Sequence, residues 1–191
     1  MKKWLGVAFI AAAIGSSSVW AQVADQHLLG RWYSEDTRTS DPDEDNIVTT
    51  MKICASEEYF RNHISNFQGA AHVDYATDDA SMEGGAVISF RGAAEWQLAE
   101  SVLTSKIIDI KIRVKEAYLR RSGDDVDAEE LETFKQAIST EMNGIFYVGR
   151  TSEDTVLSYN KNQITTESTD EDGVKTVSQH VRTAKLLEGC K

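Results

Sequence analysis

Between Thr104 and Tyr118 the chain alternates without interruption. Ile108, Ile110, Ile112 and Val114 fall on one parity, and Asp109, Lys111, Arg113 and Lys115 on the other. A period of two with opposite polarities is the signature of a β-strand with one face on a core and the other in water. Such a strand needs neighbours of the same kind, and the rest of the chain supplies them. Leu28 to Ser34 reads as a short opening strand. Asn46 to Ala55 places Ile47, Thr49, Met51 and Ile53 on one face. Tyr59 to Tyr75 reads as a long polar strand or a strand with a bulge near Gly69, and Ala86 to Ala99 as another strand carrying Val87, Ile88 and Trp96. Ile145 to Arg150 and Thr155 to Asn160 flank a turn at Thr151 to Asp154. Asn162 to Ser168 and Val174 to Thr183 flank Thr169-Asp170-Glu171-Asp172-Gly173, whose Asp-Gly is a hairpin signal.

One segment departs from this period. Asp127 is placed to cap a helix, with Glu130 at the capping-box position. Leu131, Phe134, Ile138 and Met142 then recur at helical spacing, and Asn143-Gly144 marks the expected stop. The expected fold is therefore mainly β, an antiparallel barrel or strongly curled sheet of about eight strands with one amphipathic helix. Pro42 is the single proline and no linker composition interrupts the chain, so residues 22–191 read as one domain.

The first 21 residues read differently. Lys2 and Lys3 precede an apolar stretch from Trp4 to Ile14, and Val19 and Ala21 stand at the small-residue positions before a cut. This is the layout of a secretory signal peptide. The apolar run is shorter than the roughly 20 residues that cross a bilayer, so no stable membrane insertion is expected after cleavage. The expected location is a bacterial periplasm or the exterior. Of the 20 basic residues two lie in this leader, and none of the 31 acidic ones does, so the remainder sets 18 against 31 for a net charge of −13. That charge repels a phosphate backbone, which argues against nucleic acid and leaves a cationic protein as a possible partner. In an oxidising compartment Cys54 and Cys190 are expected to pair, two separate thiols being the alternative.

Catalytic and metal chemistry find few candidates. Asp41, Asp43 and Asp45 have the alternate spacing of a calcium loop, but Asn46 and Lys52 stand where that loop needs a Gly and a Glu, so a solvated acidic loop is expected. His27, His63, His72 and His180 are scattered, and no Gly-x-Ser-x-Gly, Cys-x-x-Cys or phosphate-binding glycine loop is present. No metal, cofactor or enzymatic activity is expected. Tyr59, Phe60, Phe67 and Tyr75 alternate with polar residues. They read as an exposed, twisted arm, with a wet cavity wall as the alternative.

Leu29-Gly30-Arg31-Trp32-Tyr33 carries a Gly-x-Trp in the first strand of an exported β-rich chain. This resembles the opening of lipocalins and lipocalin-like bacterial secreted proteins. The resemblance implies an up-and-down barrel closed at one end by Trp32, with Gly30 beside it, Arg182 from the last strand packed across the indole, and a mouth that holds a small molecule. It also favours a bond that fastens the C-terminal tail to the barrel. Parity sets a condition on this. If Val177 and Val181 face the core, Arg182 faces outward. The leading functional expectation is a periplasmic lipocalin-like binding or scaffold protein for a small amphipathic ligand or a partner protein. The alternative is a periplasmic inhibitor or immunity protein that neutralises a toxic enzyme, and a hydrolase of unknown type ranks last.

Overall fold

The computed structural model describes residues 24–40, 42, 46–77, 81–169, 173–187 and 190. The signal-peptide assignment and Asp41, Asp43 and Asp45 lie outside the described residues. A one-turn helix α1 (Asp25–Leu28) leads into β1 (Gly30–Thr39), β2 (Ile47–Tyr59), β3 (Ile64–Thr77), β4 (Met82–Ala99) and β5 (Val102–Arg121). The two-residue β6 (Asp124–Asp125) and helix α2 (Ala128–Ile145) follow, and then β7 (Thr151–Tyr159), β8 (Gln163–Thr169) and β9 (Lys175–Arg182).

The nine strands form one antiparallel sheet in the order β4-β3-β2-β1-β9-β8-β7-β5-β6, and β4 also pairs with β5. β6 pairs only with the end of β5, so the other eight strands close a ring. Closure leaves these strands no free edge, which is how an antiparallel sheet of this size avoids aggregation. The ring is uneven. β2 to β5 are long and paired along nearly their whole length, whereas β5 meets β7 only through Val102–Lys106 with Thr151–Thr155. β1 meets β9 only through Trp32–Ser34 with His180–Arg182.

The clean alternation of β5 is broken in space. Its register against β4 shifts between Ala93 and Ala94 and again between Val87 and Ile88, so Ile108 and Lys115 have no partner. Each is the extra residue of a β-bulge, which reverses the parity beyond it. Ile110, Ile112 and Val114 face inward as their alternation suggests, but Ile108 is exposed and Ile107 takes the inner place. The long β2–β5 wall extends past the β7–β9 strands, and α2 covers that extension. Phe134, Ile138 and Met142 pack on Ala71, Val73, Ala86 and Ile88. Asp127 caps the helix by accepting hydrogen bonds from the Glu129 and Glu130 amides at 3.0 and 2.9 Å. The helix runs through Asn143-Gly144 to Ile145, with the Asn143 side-chain Nδ2 donating to the Ser139 carbonyl.

Two further boundaries differ from expectation. The segment Tyr59–Tyr75 is not one strand: Tyr59 ends β2, and Phe60 to His63 make a turn with His63 at φ 59°. Gly69 sits in unbroken register, opposite Phe90. The expected turn Thr151–Asp154 is instead the start of β7, because those residues pair with β5, and Phe146 to Arg150 form the connection.

At the lower end a compact cluster closes the barrel: Leu28, Trp32, Tyr59, Trp96, Leu103, Val156 and Ile164. The Trp32 Nε1 donates to the Leu28 carbonyl at 2.6 Å, and the Trp96 Nε1 to the Ile64 carbonyl at 3.1 Å, so neither indole is buried with an unmet donor. On the outer face the C-terminal tail crosses back from β9 to β2. Cys190 is bonded to Cys54, and the Leu187 amide donates to the Ser56 hydroxyl at 2.9 Å. This tail explains why Cys54 and Ser56 are fully buried although they point away from the barrel interior.

Candidate functional site

Above the tryptophan floor the barrel encloses a cavity of about 340 Å³. Strand parity decides its lining. β1 contributes Ser34, β2 contributes Ala55, Glu57 and Tyr59, and β7 contributes Ser152 and Asp154. Thr166 of β8 and His180 of β9 complete the polar side. The apolar side is Phe67 and Phe90, met from above by Phe146. Phe90 and Phe146 stack with centroids 5.7 Å apart and planes 14° from parallel.

Two glycines make this wall. A Cβ at Gly69 would lie 2.1 Å from the Cys54 carbonyl oxygen and 2.6 Å from the Phe90 ring. A Cβ at Gly92 would lie 2.2 Å from the Asp109 carbonyl oxygen and 2.6 Å from the Phe67 ring. Each phenyl ring therefore lies over the glycine directly opposite it on the neighbouring strand. The missing side chains leave room for the rings to rest against the wall there.

The polar side is electrostatically loaded. The Tyr59 hydroxyl donates to Glu57 Oε2 at 2.7 Å. Burial pushes the Glu57 carboxyl above its ordinary 4.5; the Ser65 and Tyr59 hydroxyls oppose that shift, and the charge of Asp154 adds to it. Burial likewise raises Asp154 above 3.8. His180 is pushed below 6.5 by burial, and its Nε2 lies 3.1 Å from the Thr166 hydroxyl. Arg150 stands at the mouth, its guanidinium 6.0 Å from the Phe146 ring centroid and bonded to the Ile145 carbonyl.

Gly30, Trp32 and Arg182, which carry the family resemblance, fall outside this polar side. Gly30 has φ 110°, a region L-residues avoid, and a Cβ there would stand 2.5 Å from Arg182 Nη1. Trp32 forms part of the floor, and the Arg182 guanidinium covers it from below at 4.1 Å. The parity expected for β9 is reversed. Val177 and Val181 are exposed, while His180 and Arg182 pair with Ser34 and Trp32 and share their inward face. The cause is that the cavity is polar on this side, so the polar parity of the strand turns in. Tyr59 and Phe67, read as part of an exposed arm, instead line the cavity. Glu57, Asp154 and His180 carried no signal in the sequence, because an inward carboxylate looks there like any solvated one. No protein-family profile matches the chain, and no curated protein matches it significantly.

Proposed function

We propose that the protein is a lipocalin-like binding protein that holds a small amphipathic molecule inside the barrel. One observation carries the reading: a cavity inside the ring, open at its mouth, with an aromatic wall on one side and convergent polar groups on the other. Ligand sites are typically about 300–1,000 Å³, mostly apolar, with a few placed polar groups that fix orientation. The apolar body would lie on Phe67, Phe90 and Phe146, and the polar end would meet Glu57, Tyr59, Asp154 and His180. The first-strand Gly30 and Trp32, with Arg182 across the indole, support the lipocalin resemblance. The Cys54–Cys190 bond suits an extracytoplasmic protein, and export to a periplasm through the leader is part of the proposal.

Native mass spectrometry of protein purified from its own host is expected to show a mass excess that disappears on denaturation, identifying the ligand. Bare protein from that source, with no aromatic amphiphile able to shift its melting temperature, would end the reading. Intact mass should place the exported N-terminus at Gln22; full-length chain held in membranes would remove the export part.

A further inference from the structure

We infer that the barrel cavity selects amphipathic cations, an apolar body carrying a protonated amine, and seats the ammonium between Glu57 and Asp154. The inference rests on the binding reading above and names its ligand class.

Glu57 from β2 and Asp154 from β7 enter the cavity from well-separated positions in the ring. A carboxylate withdrawn from water needs a positive charge or several donors to offset its desolvation. The cavity supplies little of either. Arg150 is the one permanent cation in the lining. It is spent on the Ile145 carbonyl and the Phe146 ring, and no ion pair joins it to either acid among the described residues. His180 is held neutral by burial and placed against Thr166. The groups that favour the Glu57 carboxylate are the hydroxyls of Tyr59 and Ser65, which bring no charge.

Helix α2 ends at the cavity with its C-cap, Phe146, and Arg150 already answers that end by donating to the Ile145 carbonyl, so the field left in the cavity is that of the two acids. Phe67, Phe90 and Phe146 supply ring faces that attract organic cations as well as apolar groups. An anionic head would meet two carboxylates. A neutral head would gain hydrogen bonds but leave the acids without a counter-charge. An ammonium answers both acids with one charge and three donors, offsetting the desolvation that pushes both carboxyls above their ordinary values.

The test uses three probes with the same aromatic body and different heads: 2-phenylethylamine, 2-phenylethanol and 3-phenylpropionate. Their affinities for the full mature protein are measured by titration calorimetry at pH 7. The amine is expected to bind at least about tenfold more tightly than the alcohol, and the carboxylate most weakly. Glu57→Gln and Asp154→Asn should each bring the amine-to-alcohol ratio close to one, whereas Lys111→Gln on the outer wall should leave it unchanged. If all three probes bind within about twofold, or the carboxylate binds best, the inference falls while the cavity-binding reading stands. If none binds, both fall. An unchanged ratio in folded Glu57→Gln and Asp154→Asn also overturns it. Should those variants not fold, the head-group series on the wild-type protein decides alone.

Discussion

The guanidinium of Arg182 lies 4.1 Å from the centroid of the Trp32 indole, and the two residues are partners across the β1–β9 pairing. The guanidinium is fixed by the backbone. Its Nε donates to the Lys161 carbonyl at 2.8 Å, Nη1 to Leu29 at 2.9 Å and Nη2 to His27 at 3.3 Å. One side chain thus ties the N-terminal turn, the β7–β8 turn and the barrel floor together. Trp32→Ala should cost about 3–5 kcal/mol by urea unfolding, as large aromatic truncations in cores do. In a double-mutant cycle with Arg182→Ala the coupling should be about 0.5–2 kcal/mol. Arg182→Lys should not rescue it, because an ammonium cannot make three bonds in the plane of a fork. Additive single-mutant effects would show that the stacking contributes nothing.

Removing the Cys54–Cys190 bond should lower stability strongly. It closes a loop with a sequence separation of 136. A chain-entropy argument gives roughly 4–5 kcal/mol as the ceiling for a loop of that size. Urea midpoints of Cys54→Ser/Cys190→Ser against the oxidised wild type measure it, and a difference under about 1 kcal/mol would mean that the tail is held by its other contacts.

Gly69→Ala should destabilise the barrel by about 1–3 kcal/mol, an overpacking cost. The added methyl meets the Cys54 carbonyl oxygen and the Phe90 ring, and backbone cannot step aside as a side-chain tip can. Gly123→Ala is the comparison, with open space for the methyl but φ 87°. It tests turn strain without crowding. A neutral Gly69→Ala would mean that the Phe90 wall is loose.

The two half-buried acids of the cavity make stability depend on pH in an unusual direction. Glu57 and Asp154 bind protons more tightly folded than unfolded. Their contribution is complete below their ordinary values of 4.5 and 3.8 and is lost as pH rises through the raised folded values. His180 acts oppositely. Its folded value is lowered, so stability is gained as pH rises through the folded value towards 6.5. The Glu57→Gln urea midpoint should therefore fall less than that of the wild type as pH is raised from 4.5. Parallel pH profiles for the two proteins would show that Glu57 is not the source.

Local features of the chain were legible where one physical cause acts alone. The α2 stripe, the Asp127 cap, the alternation of β5 and the pairing of the two cysteines all follow from spacing or compartment. Features produced by two strands meeting were not. The bulges at Ile108 and Lys115 arise because β4 and β5 curve together, and nothing in β5 itself marks them. The β4–β5 hairpin turns on Glu100 and Ser101, both at positive φ, where the usual Asn-Gly signal is missing. The inward face of β9 depends on whether the interior beside it is apolar or polar, which β9 alone does not carry; beside His180 it is polar. The cavity follows from ring closure, so its carboxylates gain meaning only once β2 and β7 share an interior.

The two short seams of the ring are not equivalent. Strands β7, β8 and β9 form a panel joined to the long β1–β5 wall by one brief pairing on each side. On the β9 side the tail and its disulfide rivet the panel to β2 from outside. On the β7 side no covalent tie exists among the described residues, and Phe146 and Arg150 stand next to it. The panel is thus fastened covalently on its β9 side and by backbone hydrogen bonds on its β7 side, beside the cavity mouth. In amide hydrogen exchange, Thr151 to Thr155 should exchange by local opening well ahead of the β3–β4 ladder. A bound ligand should slow that exchange, because it touches the panel and the wall at once.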